Sequence, residues 1–223
     1  MIRRVNIEKF TEEEIKNLEL VKNGNVGFNS IVYRLNDKEC VKIFRKSAEI
    51  SCFYNVYKAS KFMKCKFETA EMPKRLAIVD NRYSGYVLNY INGPMLEECT
   101  DYDFSEMLLL YSNFIKKATM EISGEGILIV DPSAYNILLD KKDKKLKLID
   151  PDSWIIKNKK NARELEEKNF KTLAQTFSCF AFSNLFCDLD INGDFIDYFE
   201  SRRKELQKEK HVKIKTISDI RKI

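Results

Sequence analysis

Three side chains that could bind a metal ion or orient a hydroxyl group flank two short apolar runs near the middle of the chain. Asp131 precedes Asn136 by five positions, and Asp150 follows the second run directly. If the runs, Ile137 to Leu139 and Leu146 to Ile149, pair as a hairpin across their lysine-rich turn, these polar residues meet at one end of it. Two carboxylates and an amide would suit Mg²⁺, which prefers hard oxygen ligands.

Turn formation offers a second explanation for the same residues. Asp and Asn are common in turns because their side chains bond to nearby backbone groups. Each of these residues taken alone is better explained in that way. Asp152 is open to both interpretations, as a further metal ligand or as a turn residue. The cluster therefore has to be judged together with the elements that would position it.

The first part of the chain is predicted to be rich in strands. Thr11, followed three positions later by Glu14, is typical of a capping box and predicts a short helix. Apolar patterning then predicts five strands and one longer helix. The strands are Leu18 to Val21, Ile31 to Leu35, Cys40 to Phe44, Arg75 to Val79 and Tyr83 to Tyr90, and the helix is Ala48 to Met63.

The second part of the chain is predicted to be mainly helical. Asp103 with Glu106 begins a long helix that extends to about Ile122. After the hairpin, helices are predicted from Ala162 to Phe186 and from Gly193 to Lys210. Strands followed by helices predict an α+β fold with two lobes, residues 1–91 and 92–223.

The composition is that of a cytoplasmic globular protein. Hydrophobic residues make up 44% of the chain and charged residues 33%. No apolar run approaches the roughly 20 residues that span a bilayer, and the first residues lack the apolar region of a signal peptide. The six cysteines form no CxxC pair and His211 is the single histidine, which argues against a zinc site and favours reduced thiols.

The positive charge is concentrated at the end of the chain. Residues 201–223 hold nine Lys/Arg and three Asp/Glu, whereas the net charge of the whole chain is +5. Such a basic tail could contact an acidic surface, although a solvated helix face is the favoured interpretation. No motif specific for nucleic acids accompanies it.

The segments GILIVDPSAYNILLD and KLKLIDPDSW resemble the catalytic loop and the metal-binding segment of the protein kinase superfamily. The pattern there is H-R-D-x-x-x-x-N, a strand, a turn, a second strand and D-F-G. The resemblance implies that Asp131 orients the acceptor hydroxyl and that Asn136 and Asp150 hold Mg²⁺, or Mn²⁺ in its place. It also implies a two-lobed kinase-like fold, with a five-stranded antiparallel N-lobe containing one helix and a reduced helical C-lobe.

Upstream segments match the same superfamily in the same order. Lys42 is similar to the lysine of V-A-I-K, which implies that it holds the α- and β-phosphates of ATP. NVGFNSIVY resembles the glycine-rich loop that covers the phosphates, with Gly27 as the one retained glycine. YVLNYINGPML is similar to the fifth strand and hinge, which places Leu88 at the gatekeeper position and Asn89 to Ile91 beside the adenine.

The kinase lysine pairs with a glutamate, for which the sequence offers three candidates. Glu49 is chosen because Phe53 follows it one helical turn later, as in the kinase helix. Glu68 and Glu71 are the alternatives, although they come late and close to Pro73.

The catalytic segment departs from the kinase pattern just before and just after Asp131. Ile129 and Val130 replace the His and Arg of H-R-D, so the arginine that would receive an activation-loop phosphate is missing. Ser133 stands where serine/threonine kinases carry a lysine, which removes a positive charge near the transferred phosphoryl group.

The chain also departs from the pattern after Asp150. Pro151 and Asp152 replace the Phe-Gly of D-F-G, and the fixed φ of proline disfavours the flip of that motif. No A-P-E motif follows, and Asn169 stands where the anchoring aspartate of the next helix is expected. The chain thus resembles the compact kinases found among bacterial effector proteins, which implies that it could be delivered into a host cell.

Three functions are consistent with this resemblance. The favoured one is an ATP- and Mg²⁺-dependent kinase that phosphorylates Ser or Thr of a protein substrate. The second is a small-molecule kinase of the aminoglycoside or choline kinase type, because those families also lack A-P-E and often carry I-D-P, as in Ile149-Asp150-Pro151. The third is a nucleotide-binding pseudokinase. Transfer of AMP has no positive support in the sequence.

Overall fold

The computed structural model describes residues 6–21, 29–45, 56–183 and 194–223. The chain divides into two compact units, Met1–Lys66 with Glu71–Ile91 and Phe67–Ala70 with Asn92–Ile223. Helices and strands are both present, so the predicted α+β class is confirmed. None of the helices in the described part of the chain combines the length and the apolar character needed to cross a bilayer.

The first unit is built on one six-stranded sheet. Its elements are β1 (Ile7–Phe10), α1 (Glu12–Lys16), β2 (Glu19–Leu20), β3 (Ser30–Arg34), β4 (Glu39–Phe44), α2 (Val56–Phe62), β5 (Arg75–Val79) and β6 (Arg82–Asn89). The strand order is β1-β5-β6-β4-β3-β2. Strand β1 is parallel to β5, and the other neighbouring pairs are antiparallel.

The prediction of five antiparallel strands is wrong, because β1 adds a sixth strand and makes the sheet mixed. The apolar signal of β1 is weak, since Glu8 and Lys9 separate Ile7 from Phe10. Its position also depends on pairing with β5, a strand that is distant in sequence. Local patterning carries no information on such a pairing.

Two helices, α1 and α2, are described in the first unit. They correspond to the short capped helix and to the longer helix that the sequence predicts. The capping box of α1 is confirmed, since Thr11 Oγ1 accepts from the Glu14 N–H (3.1 Å) and Glu14 Oε2 accepts from the Thr11 N–H (2.7 Å). Helix α2 is the described part of the helix predicted from Ala48 to Met63, of which residues 48–55 lie outside the described range.

The two faces of the sheet differ in character. Helix α1 buries Ile15 against Val41, Ala77 and Val87, and these residues form the core on one face. Successive side chains of a strand point to opposite faces, so Lys42 lies on the other face from Val41. The side chains of Val41 and Lys42 therefore have different surroundings, although the two residues are adjacent in sequence.

The second unit contains the helices and two short strand pairs. Its elements are α3 (Phe104–Gly124), β7 (Ile127–Leu128), β8 (Ile137–Asp140), β9 (Lys145–Leu148), β10 (Ile155–Ile156), α4 (Ala162–Phe182), α5 (Phe195–Lys210) and α6 (Ile217–Arg221). Strands β8 and β9 form the predicted hairpin, and β10 pairs antiparallel with β7. The predicted helices α3, α4 and α5 are confirmed over the described residues, whereas residues 184–186 of the predicted α4 and Gly193 of the predicted α5 lie outside the described range.

Aromatic side chains form the core of the second unit. Tyr111 from α3 packs against Phe177 from α4, with 4.8 Å between ring centres, and lies parallel to Phe195 from α5. The Tyr111 hydroxyl donates to the Leu173 carbonyl (2.8 Å), and burial raises the pKa of this tyrosine well above its ordinary value. The three long helices are thereby joined through one phenol ring.

Two arginines of the basic tail form ion pairs within the second unit. Arg221 donates to both carboxylate oxygens of Glu97 (2.6 and 2.9 Å) and to the Phe180 carbonyl (2.8 Å). Arg203 pairs with Glu200 (2.6 Å). The exposed cations are the lysines Lys204, Lys208, Lys210, Lys213, Lys215 and Lys222.

The β8–β9 hairpin is held on both sides by extended segments. The Leu139 N–H on β8 donates to the Pro94 carbonyl (2.9 Å), and the Leu148 N–H on β9 donates to the Thr69 carbonyl (2.8 Å). Glu121 on α3 in turn accepts from the Thr69 N–H (3.2 Å) and hydroxyl (2.8 Å). The hairpin is thus tied to the long helix through the segment that contains Thr69.

We expect Gly93→Ala to destabilise the second unit. A Cβ at Gly93 would lie 1.8 Å from the Leu139 carbonyl oxygen, so β8 or the segment beside it would have to move. The free energy of unfolding in urea should fall by about 1–3 kcal/mol, as for other overpacked sites. In Gly124→Ala, where nothing lies within 4 Å, it should stay the same or rise by up to about 1 kcal/mol. Equal stability of Gly93→Ala and the wild type would contradict the close approach.

Candidate functional site

Asn136 connects the loop that carries Asp131, residues 129–136, to the end of the hairpin. Its carbonyl accepts from the Ile149 N–H (2.9 Å), and its side-chain Nδ2 donates to the Asp131 carbonyl (3.1 Å). The first bond continues the hairpin by one pair beyond β8 and β9. The structure therefore brings together the backbone positions that carry Asp131, Asn136 and Asp150.

Asp131 and Asp150 both have a left-handed backbone conformation. Their φ angles are 56° and 62°. This conformation costs most residues other than glycine about 1–2 kcal/mol, although aspartate and asparagine adopt it more readily than the others. The same conformation occurs at described turns and helix ends, such as Asp80, Lys144 and Ser183, so it fits a turn as well as a site.

Polar side chains from other segments hold the two residues before Asp131. The Ile129 N–H donates to Asn169 Oδ1 (2.8 Å), and the Val130 carbonyl accepts from the Ser153 hydroxyl (2.6 Å). The pairing of β7 with β10 adds to this, because it runs the chain after Asp150 alongside the chain before Asp131. Ile129 and Val130, two of the departures from the kinase pattern, thus lie where the loop is attached to other segments.

Asn169 on α4 is fully buried, and its amide makes three hydrogen bonds. Besides accepting from the Ile129 N–H, it donates through Nδ2 to the Ser123 hydroxyl oxygen and to the Ile127 carbonyl, both at 2.9 Å. A carboxylate could not donate to that carbonyl. Asparagine therefore fits this position better than the aspartate expected from the kinase pattern.

Sequence reasoning missed two hydroxyl groups that bind the loop. These are Ser153, bonded to the Val130 carbonyl, and Thr176 on α4, which donates to the Pro132 carbonyl. A hydroxyl that bonds to a distant carbonyl has no local signature. One signal was present, because Thr176 follows Asn169 by seven positions on a helix whose neighbouring residues on that face are apolar.

The turn after Asp150 is a single 3₁₀ turn, Pro151–Ser153. Proline suits its first position, since the fixed φ is compatible with a helical turn and the missing N–H would have no partner there. Asp152 is half-buried on this turn, and Trp154 behind it is 1% exposed. The buried indole anchors the segment that follows the candidate metal ligand.

Lys42 lies in the middle of β4 and is 4% exposed. It is the register partner of Tyr86 on β6, and its ammonium nitrogen lies 5.8 Å from the centre of that ring. A buried cation requires compensating interactions, of which this cation–π contact is one. Gly27 and Glu49, the predicted phosphate-covering glycine and lysine partner, lie outside the described residues.

The gatekeeper candidate, Leu88, is buried on β6 and pairs in register with Cys40. Burial raises the pKa of the Cys40 thiol to about 12, and the nearby carboxylates of Glu71 and Glu39 act in the same direction. The thiol is therefore protonated at neutral pH and is a poor nucleophile. The two side chains form an apolar, chemically inert surface.

Two of the hinge candidates, Asn89 to Ile91, make hydrogen bonds within the first unit. Asn89 Nδ2 donates to both Glu71 oxygens (3.1 and 2.9 Å), and the Tyr90 N–H donates to the Lys38 carbonyl (2.8 Å). Within the described residues, the backbone N–H and carbonyl of Ile91 make no hydrogen bond. Ile91 is thus the hinge candidate whose backbone groups have no partner among the described residues.

The alternative glutamate partners for Lys42 have other contacts. Glu68 forms an ion pair with Lys117 on α3, which lowers the pKa of Glu68 chiefly through the hydrogen bond to that lysine. Glu71, as described above, accepts from Asn89.

A network of ion pairs ties Asn89 to the edge of the sheet. Arg75 on β5 bonds to Glu39 on β4 (2.7 Å) and to Glu8 on β1 (2.6 Å), and Lys74 bonds to Glu39 (2.5 Å) and to Asn89 Oδ1 (2.9 Å). The hydrogen bonds from Arg75 and Lys74 hold the pKa of Glu39 at about 2. The network adds an ion pair, Glu8 with Arg75, to the backbone pairing of β1 with β5.

The oxygen ligands available for a metal ion are few. Among the residues that the structure describes, no three His, Cys, Asp or Glu side chains are grouped so as to hold a metal. The candidate set is one carboxylate, from Asp150, and one amide oxygen, from Asn136. Such a set suits an ion that takes most of its ligands from water and phosphate, as Mg²⁺ does.

Fold and site together define an α+β protein with two strained aspartates held on a loop and hairpin. No protein-family model matches the sequence. No curated protein matches it either.

We expect Glu39→Gln to lower stability in a pH-dependent manner. The folded-state pKa of Glu39, about 2, lies below the ordinary value of 4.5, so its ion pairs add stability above about pH 4.5 that is lost as the pH falls toward 2. The free energy of unfolding in urea should fall by about 1–3 kcal/mol at pH 7, and the difference from wild type should shrink across that range.

Asp37→Asn is the matched control, because Asp37 pairs with Arg34 at 2.8 Å but its side chain is 94% exposed. The change in this variant should stay within about 0.5 kcal/mol at every pH. A deficit in Glu39→Gln that is the same at pH 7 and pH 2 would exclude an ionic origin.

We expect Asn169→Asp to destabilise the second unit most strongly at neutral pH. The new carboxylate would be buried and would face the Ile127 carbonyl without a proton to donate, at a cost of about 2 kcal/mol or more. Acidification should reduce the loss, since a protonated carboxyl group can donate again. Urea unfolding at pH 7 and pH 4 measures this. Asn113→Asp, at an exposed position of α3, should show no such pH-dependent loss.

Proposed function

We propose that the protein is an ATP- and Mg²⁺-dependent phosphotransferase with a compact kinase-like fold of two lobes. The observation that carries the proposal is the position of Asn136, which bonds to the Asp131 carbonyl through its side chain and to the Ile149 N–H through its backbone. This supports a common role for two aspartates that are far apart in the sequence.

The residues have distinct proposed roles. Asp131, which is exposed, would accept a hydrogen bond from the acceptor hydroxyl and align it with the γ-phosphate. Lys42 would hold the α- and β-phosphates. Such catalysis consists mainly of positioning and of stabilising charge on the transferred group, so fixed backbone geometry matters more than a shifted pKa.

The candidate metal ligands fit Mg²⁺. Asn136 uses its Nδ2 for the bond to the Asp131 carbonyl, which leaves Oδ1 as an oxygen ligand, and Asp150 is half-exposed. When bound, the ion would neutralise charge that develops on the phosphates. A cytosol supplies both ATP and Mg²⁺ and is the proposed location, whether in the producing cell or in a host cell that receives the protein as an effector.

The acceptor that we propose is Ser or Thr of a protein. A small-molecule acceptor is the second candidate, and one observation favours it. The chain after Asp150 passes through one 3₁₀ turn, through β10 paired with β7, and then through a second 3₁₀ turn into α4 at Ala162. This connection leaves little chain for a surface that would bind a protein substrate.

Transfer of label from ATP tests the proposal. The wild type, with Mg²⁺ and ATP labelled at the γ-phosphate, should label protein in a cell lysate. Asp150→Asn and Asp131→Asn should each reduce this by about 100-fold or more, because they remove a metal ligand and the group that aligns the hydroxyl. Asparagine tolerates the left-handed conformation at both positions, so the variants should keep the loop geometry.

Asp143→Asn, on the exposed turn of the same hairpin, is the matched control and should retain wild-type transfer. Label found only on small molecules would show that the acceptor is a small molecule, the second candidate, and not a protein. Binding of ATP without transfer would identify a pseudokinase, and label from the α-phosphate would indicate AMP transfer. Undiminished transfer by Asp150→Asn would contradict the proposed site.

A further inference from the structure

Helix α4 directs two polar side chains at the loop that carries Asp131. Asn169 and Thr176 are seven residues apart, which is about two helical turns, so they lie on the same face. They are 0% and 8% exposed. Polar groups on a buried helix face are costly unless they are hydrogen-bonded, and both of these have partners in the loop.

The two side chains bind the loop on opposite sides of Asp131. Asn169 accepts from the N–H of Ile129, two positions before the aspartate. Thr176 donates to the carbonyl of Pro132, the position directly after it. One rigid element thus fixes the backbone both before and after the residue with a φ of 56°.

The contact made by Thr176 depends on its single hydroxyl proton. Thr176 Oγ1 also lies 3.1 Å from the Thr172 carbonyl, the usual i−4 acceptor for a threonine within a helix. Both carbonyls are within hydrogen-bond reach of this one hydroxyl, so it joins the loop to α4.

We propose that Thr176 is a positioning residue for Asp131, so that α4 sets the direction of the Asp131 carboxylate by holding the loop at Ile129 and Pro132. This inference rests on the proposed function, in which Asp131 aligns the acceptor hydroxyl. Loss of the Thr176 hydroxyl frees the Pro132 carbonyl and allows the strained residue to relax. The nucleotide is bound by other residues, so its affinity is not affected.

Thr176→Val, which keeps the shape but removes the hydroxyl, tests the proposal. We expect kcat for phosphate transfer to fall by about tenfold or more while KM for ATP changes less than about twofold, as for a misplaced catalytic group. Thr176→Ser should restore kcat to within about threefold of wild type. Hydrogen exchange of the Ser133 amide, which donates to the Asp131 carbonyl (3.1 Å), should be faster in Thr176→Val.

Thr172→Val is the matched control, because the Thr172 hydroxyl bonds within α4 to the Lys168 carbonyl (2.8 Å) and is exposed. It should resemble the wild type in kcat and in exchange. Thr176→Ala is measured in parallel and takes the place of the valine variant if the latter does not fold. A wild-type kcat in a folded variant without the hydroxyl overturns the proposal.

The exchange measurement separates this inference from the proposed function. If the wild type transfers no phosphate, the proposed function fails. Faster exchange at Ser133 in Thr176→Val, with wild-type exchange in Thr172→Val, then still supports the positioning of the loop by α4. Unchanged exchange in Thr176→Val overturns that positioning whether or not the wild type is active.

Discussion

The left-handed backbone of Asp131 is the constraint on which the candidate site depends. This conformation costs most residues other than glycine about 1–2 kcal/mol and costs aspartate less, whereas one hydrogen bond contributes about 1 kcal/mol net. Side chains from separate segments supply hydrogen bonds that stabilise it. Asn169, Ser153, Asn136 and Thr176 each bind a backbone group within the four residues 129–132. The loop geometry is thus a property of the folded second unit and not of the loop sequence.

Asp150 is positioned by a longer chain of contacts. Its place at the end of β9 depends on the pairing of β9 with β8, and both strands are held by flanking segments. Gly93 lets one of these segments approach the Leu139 carbonyl closely, and Glu121 ties the other to α3. A change in any of these contacts would move Asp150 relative to Asn136 although neither residue is altered. The absence of a side chain at Gly93 is therefore part of the structure of the site.

Sequence reasoning identified what local patterns determine. The hairpin, the capping box at Thr11 and the long helices follow from residues that are close together in the chain, and the structure has all of them. Strand β1 and the pairing of β7 with β10 depend on contacts between distant segments, which local patterns do not show. The same division applies to the site. Acids and an amide stand out by residue type, whereas Ser153 and Thr176 act through backbone carbonyls that are adjacent only after folding.

The residues that hold the loop are neutral, which has a physical consequence. The side chains that bind the loop backbone from other segments are the Asn169 amide and the Ser153 and Thr176 hydroxyls. Their hydrogen bonds do not titrate between pH 4 and pH 9 and are weakly screened by salt, unlike ion pairs. None of these groups carries a charge, so none of them could bind a phosphate in the way that a loop arginine does. The geometry of the loop should therefore stay constant over this range of pH and salt.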